Sequence, residues 1–135
     1  GQIQFQIGGS EHVRVNLPSK APGDRNTFKG RAVLKATKLS CSVDVSISRS
    51  DLYTFFDQIR VVHEQLFGSF VLRSKDSRFI LNGKAGPKGT IQIDAEFSGF
   101  EFSQPENIEW SASASFFCYP HEIEKVASLS ATEQS

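Results

Sequence analysis

Apolar and polar residues alternate along most of this chain, and in one stretch the alternation gives way to a helical spacing. Ile3, Phe5 and Ile7 fall on one side of the first run, and Gln2, Gln4 and Gln6 on the other. That period of two is expected of a strand covered on one face. After Gly8-Gly9-Ser10, the residues Val13, Val15 and Leu17 repeat the pattern against His12, Arg14 and Asn16, so a hairpin is expected, ended by Pro18. Residues 19–30, with Pro22, Gly23, Asp24 and Asn26, read as a mobile loop. Residues 31–48 suit one bent strand or two consecutive ones, with Leu39, Cys41, Val43, Val45 and Ile47 inward. The adjacent pair Val33-Leu34 predicts a bulge.

The helical stretch is Ser50 to Gly68. At about 100° per residue, Leu52, Phe55, Phe56, Ile59, Val62, Leu66 and Phe67 share one apolar sector. Ser50 suits the N-cap, Asp51 the positive end of the helix dipole and Gly68 the left-handed C′ position. Tyr53, Asp57, Arg60, Val61 and Glu64 form the solvated side, where Arg60 and Glu64 are spaced for an i,i+4 pair. His63 falls inside the apolar sector. A neutral ring bonded to a backbone carbonyl explains it, whereas a ligand or acid–base role would need a second polar group beside it.

Beyond the helix a meander is predicted. Phe70 and Leu72 pair with Phe79 and Leu81 across the turn Ser74 to Ser77, and residues 82–89 carry turn chemistry throughout. That glycine-rich segment lacks the Gly-Lys-Ser/Thr of a phosphate loop and is followed by a strand. Thr90 to Ser98 is the most regular strand, with Ile91, Ile93, Ala95 and Phe97 inward and Gln92, Asp94, Glu96 and Ser98 outward. Gly99 is expected to shift the phase through a bulge, so that Phe100 and Phe102 turn inward. The last long run points Ile108, Trp110, Ala112, Ala114, Phe116 and Cys118 inward and stops at Pro120. The expected architecture is α+β: a curved antiparallel meander of about seven strands packed on one long amphipathic helix, with Trp110 buried beside Phe55, Phe56 and Ile59. The 135 residues read as one domain over 1–120 and a tail over 121–135, a frayed helix or disordered.

Composition narrows the function classes. Twelve Phe among an apolar fraction of 39% favour strands. Fifteen basic and fifteen acidic side chains balance, which argues against a nucleic-acid binder held by bulk charge. No apolar run approaches the length of about 18 residues that spans a membrane, and no signal-peptide pattern appears, so a cytoplasmic protein is expected. Cys41 and Cys118 read as free thiols on apolar faces, with a disulfide as the alternative if an export signal has been removed.

No catalytic signature is visible. His12, His63 and His121 lie in three different elements, no Cys/His spacing suits a metal, and no nucleophile elbow, HExxH or triad occurs. No cofactor is expected. The charges are unevenly placed: residues 1–50 carry eight basic and three acidic side chains, residues 91–135 one basic and eight acidic. Cross-strand pairing would cancel part of this. The other reading is an acidic surface of Asp94, Glu96, Glu101, Glu106 and Glu109 that attracts a basic protein. Asp94 and Glu96, two apart on one strand face, are expected to be an exposed, solvated pair.

The order of a strand, a helix beginning DLYTFFDQI, the strand GSFVLRS, the turn-rich GPKGTIQIDAEF and a closing Trp strand resembles the WapI-type bacterial immunity family over roughly residues 31–119. The resemblance implies a non-enzymatic cytoplasmic protein that neutralises a partner toxin domain, and it carries no functional residue with it. Two alternatives stand beside it: a hot-dog-like acyl-thioester enzyme, for which the helix offers His63 at best because Asp57 points away from the apolar sector, and a structural or small-ligand-binding β module. A toxin gene directly upstream favours the first reading, and acyl-CoA hydrolysis the second.

Overall fold

The computed structural model describes residues 2–20, 26–102 and 107–133. The architecture is α+β, and the strands form two sheets rather than one. Strands β1 (Ile3–Gly8), β2 (His12–Lys20), β3 (Thr27–Lys35) and β4 (Ser40–Ser48) make one antiparallel sheet in sequence order. Strands β5 (Ser69–Arg73), β6 (Phe79–Ala85), β7 (Ile91–Phe102) and β8 (Asn107–Cys118) make the other. Helix α1 (Arg49–Gln65) joins them, and α2 (Glu124–Glu133) closes the chain. A single meander of about seven strands is therefore corrected to two four-stranded sheets. Alternation tells which face of a strand is buried, but not which strand lies beside it, and the helix between β4 and β5 interrupts the ladder.

The inner faces of both sheets and one face of α1 share a single core. Leu52, Phe55, Phe56, Ile59 and Val62 are buried along α1 as the helical spacing predicts. The ring of Phe55 lies 5.5 Å from that of Phe5 on β1 and 5.7 Å from that of Phe70 on β5, so this one side chain ties the helix to both sheets. Stacked and edge-on aromatic pairs of this kind add about 0.5–1.5 kcal/mol each beyond their burial.

The helix starts and stops elsewhere than expected. Ser48, not Ser50, is the N-cap: its backbone is extended and its Oγ accepts the Asp51 N–H at 3.2 Å. At the other end Leu66 adopts the left-handed conformation (φ 53°), and its N–H donates to the Val62 carbonyl at 2.8 Å. The helical angle therefore no longer applies at Leu66 and Phe67, which leave the apolar sector; Phe67 is 76% exposed. Asp57, rather than Glu64, pairs with Arg60, at 3.6 Å.

Two bulges and one loop are also corrected. Pro18 does not end β2. The register runs from Asn16↔Arg31 to Ser19↔Lys29, so Leu17 and Pro18 together face Gly30, and the bulge sits here instead of at Val33-Leu34. Proline lacks the N–H a regular ladder needs. A Cβ on Gly30 would lie 1.9 Å from the Asn16 carbonyl oxygen, so only glycine fits opposite the bulge. The expected loop over 19–30 gives up Ser19 and Lys20 to β2 and residues from Thr27 onward to β3, where Phe28 is buried; residues 21–25 lie outside the described residues.

In the second sheet β6 continues through Asn82-Gly83, predicted as a turn. The Phe70 ring occupies the space where a Gly83 Cβ would be, at 2.1 Å. No bulge occurs at Gly99 either, because β7 and β8 stay in register from Ile91↔Cys118 to Phe102↔Asn107. Phe100 consequently faces outward, with the Arg78 guanidinium 4.1 Å above its ring. The β7–β8 hairpin extends past the core: Trp110 is only half-buried against its margin and Ile108 is 55% exposed, which corrects the burial expected for both. Helix α1 packs instead on β5 and α2. The expected tail holds a docked helix, since Ile123, Val126 and Ala127 are buried in the core.

Candidate functional site

The outer face of the second sheet is built by strand parity. With Ile91, Ile93, Ala95 and Phe97 buried inward, Gln92, Asp94, Glu96, Ser98 and Phe100 emerge on the opposite face of β7. The β8 register sets Phe117, Ser115, Ser113, Ser111 and Glu109 beside them in that order. Asp94, Glu96 and Glu109 thus share one face, as the alternation requires. Glu106 and the side chain of Glu101 lie outside the described residues, and the structure places only the Glu101 backbone, opposite Ile108.

The cross-strand neighbours of the two β7 carboxylates are all neutral. Asp94 stands between Asn82 and Ser115, and Glu96 between Ile80 and Ser113. Asp94 Oδ1 accepts hydrogen bonds from Ser115 Oγ and, at 3.4 Å, from Gln92 Nε2. Among the described residues no cation reaches ion-pair distance of Asp94, Glu96 or Glu109; the ion pairs join Arg31 to Asp44, Arg60 to Asp57 and Arg78 to Asp76. Lys84 is diagonal to Asp94 through the ladder pairs Lys84↔Gln92 and Asn82↔Asp94, and it too stays outside that range. Among the described residues, direct pairing cancels none of these three carboxylates.

The basic half of the charge asymmetry lies on the other sheet. Arg14, Lys29, Arg31 and Lys35 are exposed on β2 and β3, and among the described residues only Asp44 makes an ion pair with one of them, at 3.2 Å from Arg31. The two outer faces point away from one core; on the second sheet the carboxylates lie on β7 and β8, while the exposed Arg73 and Lys84 stand on the same face at β5 and β6.

Three features of the acidic face were not apparent from spacing alone. Two exposed aromatic rings bracket it, Phe100 at one end and Phe117, 68% exposed, at the other. The alternating run Ser111, Ser113, Ser115 leaves a low shelf between them. A shallow groove of about 360 Å³ runs beside Glu96 and is lined by Ser77, Ser98, Ser111 and Ser113. The sequence signal for the shelf is the Ser-Ala alternation at 111–115.

The remaining candidates occupy separate places. His63 is partly exposed in the last turn of α1, and His12 Nδ1 lies 3.0 Å from the Gly9 carbonyl. Among the described residues no three His, Cys, Asp or Glu side chains converge as metal ligands would. Cys41 and Cys118 are free thiols. Burial, and secondarily the nearby Glu122 carboxylate, push the Cys118 thiol up to about 12. No helix among the described residues is long and apolar enough to cross a membrane. Compared with protein-family models, curated proteins and solved structures, the chain matches none.

Proposed function

We propose that this protein is a non-enzymatic binding domain whose β7–β8 outer face receives a basic protein, as an immunity protein receives the toxin it neutralises in the bacterial cytoplasm. The observation that carries this reading is that Asp94, Glu96 and Glu109 share one exposed face with no cation in ion-pair range among the described residues. Like charges held on one strand face without direct ion pairs gain little for the stability of the isolated domain. Facing a basic surface they accelerate encounter and fix its orientation. The rings of Phe100 and Phe117 supply what carboxylates lack, since aromatic side chains are the residues that most often anchor a protein interface.

Capture from host lysate with the wild-type protein and with the double variant Asp94→Lys/Glu96→Lys tests this. A basic protein held by the first and lost by the second is the expected result. Equal recovery of every bound protein by the two baits contradicts the reading.

A further inference from the structure

Each sheet has two edges, and three of the four are met by other parts of the chain. Along β1 lie α2 and the turn Pro120–Glu122. On β4 the Ser46 carbonyl accepts the Lys75 N–H at 2.8 Å. On β5 the Val71 N–H donates to Gln58 Oε1 at 3.0 Å. The fourth edge is β8. Its ladder is made with β7 alone, and among the described residues no other group bonds to the backbone of Ile108 to Ser115.

Free edges on folded proteins are usually blunted by lysine, proline or a bulge, because a row of unpaired N–H and C=O groups is a template for another strand. β8 has none of these. Asn107–Cys118 contains no Pro, Lys or Arg, Glu109 is its one charged residue, and its register with β7 is unshifted over the full length. At the Cys118 end the edge is approached by β1, where a Cβ on Gly8 would lie 2.9 Å from the Phe116 ring, so the open part is the half nearer Ile108.

We infer that this open half of β8 pairs antiparallel with β8 of a second copy of the chain, about a two-fold axis at Ser111, joining two four-stranded sheets into one of eight. The strand is complementary to itself about that axis. Ile108 falls opposite Ala114, Trp110 opposite Ala112 and Glu109 opposite Ser113, so every large or charged residue meets a small neutral one. The exposed Ile108 and half-buried Trp110 gain cover from the alanines of the other copy. A second copy also presents a strand already ordered, whereas a free peptide must lose its backbone entropy, about 1–2 kcal/mol per residue, to pair in the same way. Pairing brings Glu109 of one copy two strands from Glu96 of the other, so the dimer strengthens as salt rises. That response is opposite to the one expected for docking of a basic partner.

Sedimentation equilibrium of the full chain from micromolar to near-millimolar concentration tests the inference. The wild type is expected to dimerise, more tightly at high salt. Ser111→Lys, at an exposed position, sets two ammonium groups across the axis and should weaken association by about tenfold or more with an unchanged melting temperature. Ser111→Cys should form an interchain disulfide under mild oxidation well beyond the wild-type background, because Cβ atoms directly across a ladder are about 4.5–5.5 Å apart. A wild type that stays monomeric throughout, or a dimer that is indifferent to Ser111→Lys and gains no interchain cross-link from Ser111→Cys, overturns it.

Discussion

Gln58 Oε1 accepts the backbone N–H of Val71 at 3.0 Å, so a side chain of α1 closes the free edge of β5. The bond does two things at once. It satisfies a donor that β6 cannot reach, and it fixes the helix along the second sheet while Phe55 holds it to both. Replacing Gln58 with Ala should destabilise the protein by about 0.5–1.5 kcal/mol in urea unfolding. It should also speed hydrogen exchange at the Val71 amide, and unchanged protection there would mean that the edge is closed by something else.

The core position of α1 is tested by Ile59→Ala. Ile59 is fully buried, and truncation should cost about 2–5 kcal/mol. A loss under about 0.5 kcal/mol would mean that this face is wrongly placed.

Val126 asks the same question of α2. It is equally buried, and Val126→Ala should cost about 2 kcal/mol if the carboxy-terminal helix is docked as described. A negligible change would place residues beyond Pro120 outside the core.

The two thiols should separate by reactivity. Burial first, and the Glu122 carboxylate second, raise the Cys118 thiol from 9.0 to about 12, while Cys41 is half-exposed and raised by its partial burial. The thiolate is the reactive form. At pH 8 a thiol reagent should therefore label Cys41 in the native protein and reach Cys118 only on unfolding. The raised Cys118 pKa favours the neutral form in the folded state, so its contribution to stability is complete below pH 9.0. It is lost progressively as pH rises from there through about 12. Cys118→Ala should flatten the fall in stability above pH 9.0. An identical alkaline slope would contradict the assignment.

Much of this fold is legible in the residues. The alternation of Ile91, Ile93, Ala95 and Phe97 sets the β7 faces, and the 3.6-residue spacing of Leu52, Phe55, Phe56, Ile59 and Val62 sets the buried side of α1. What periodicity does not carry is the identity of neighbours. The split into two sheets and the pairing of Gly30 with the bulge at Leu17 and Pro18 are long-range relationships. The docking of helix α2 is hidden for a related reason: a ten-residue segment is marginal by itself, and Val126 becomes a core residue only when α1 is beside it. In the acidic face, the outward direction of Asp94 and Glu96 follows from parity. Placing Glu109 on the same face requires the β7–β8 register, and Phe100 joins it only because that register passes Gly99 unbroken.

The carboxylates of the β7–β8 face are tested most directly by the association rate of the captured partner with the wild type and with Asp94→Lys/Glu96→Lys at low and high salt. The double variant should retain the wild-type melting temperature within about 4–8 °C, since both positions point away from the core. Its association rate at low salt should fall by about tenfold or more, with the difference between the two proteins shrinking as salt screens the surface. Equal rates for the two proteins at low salt would contradict the acidic docking face outright.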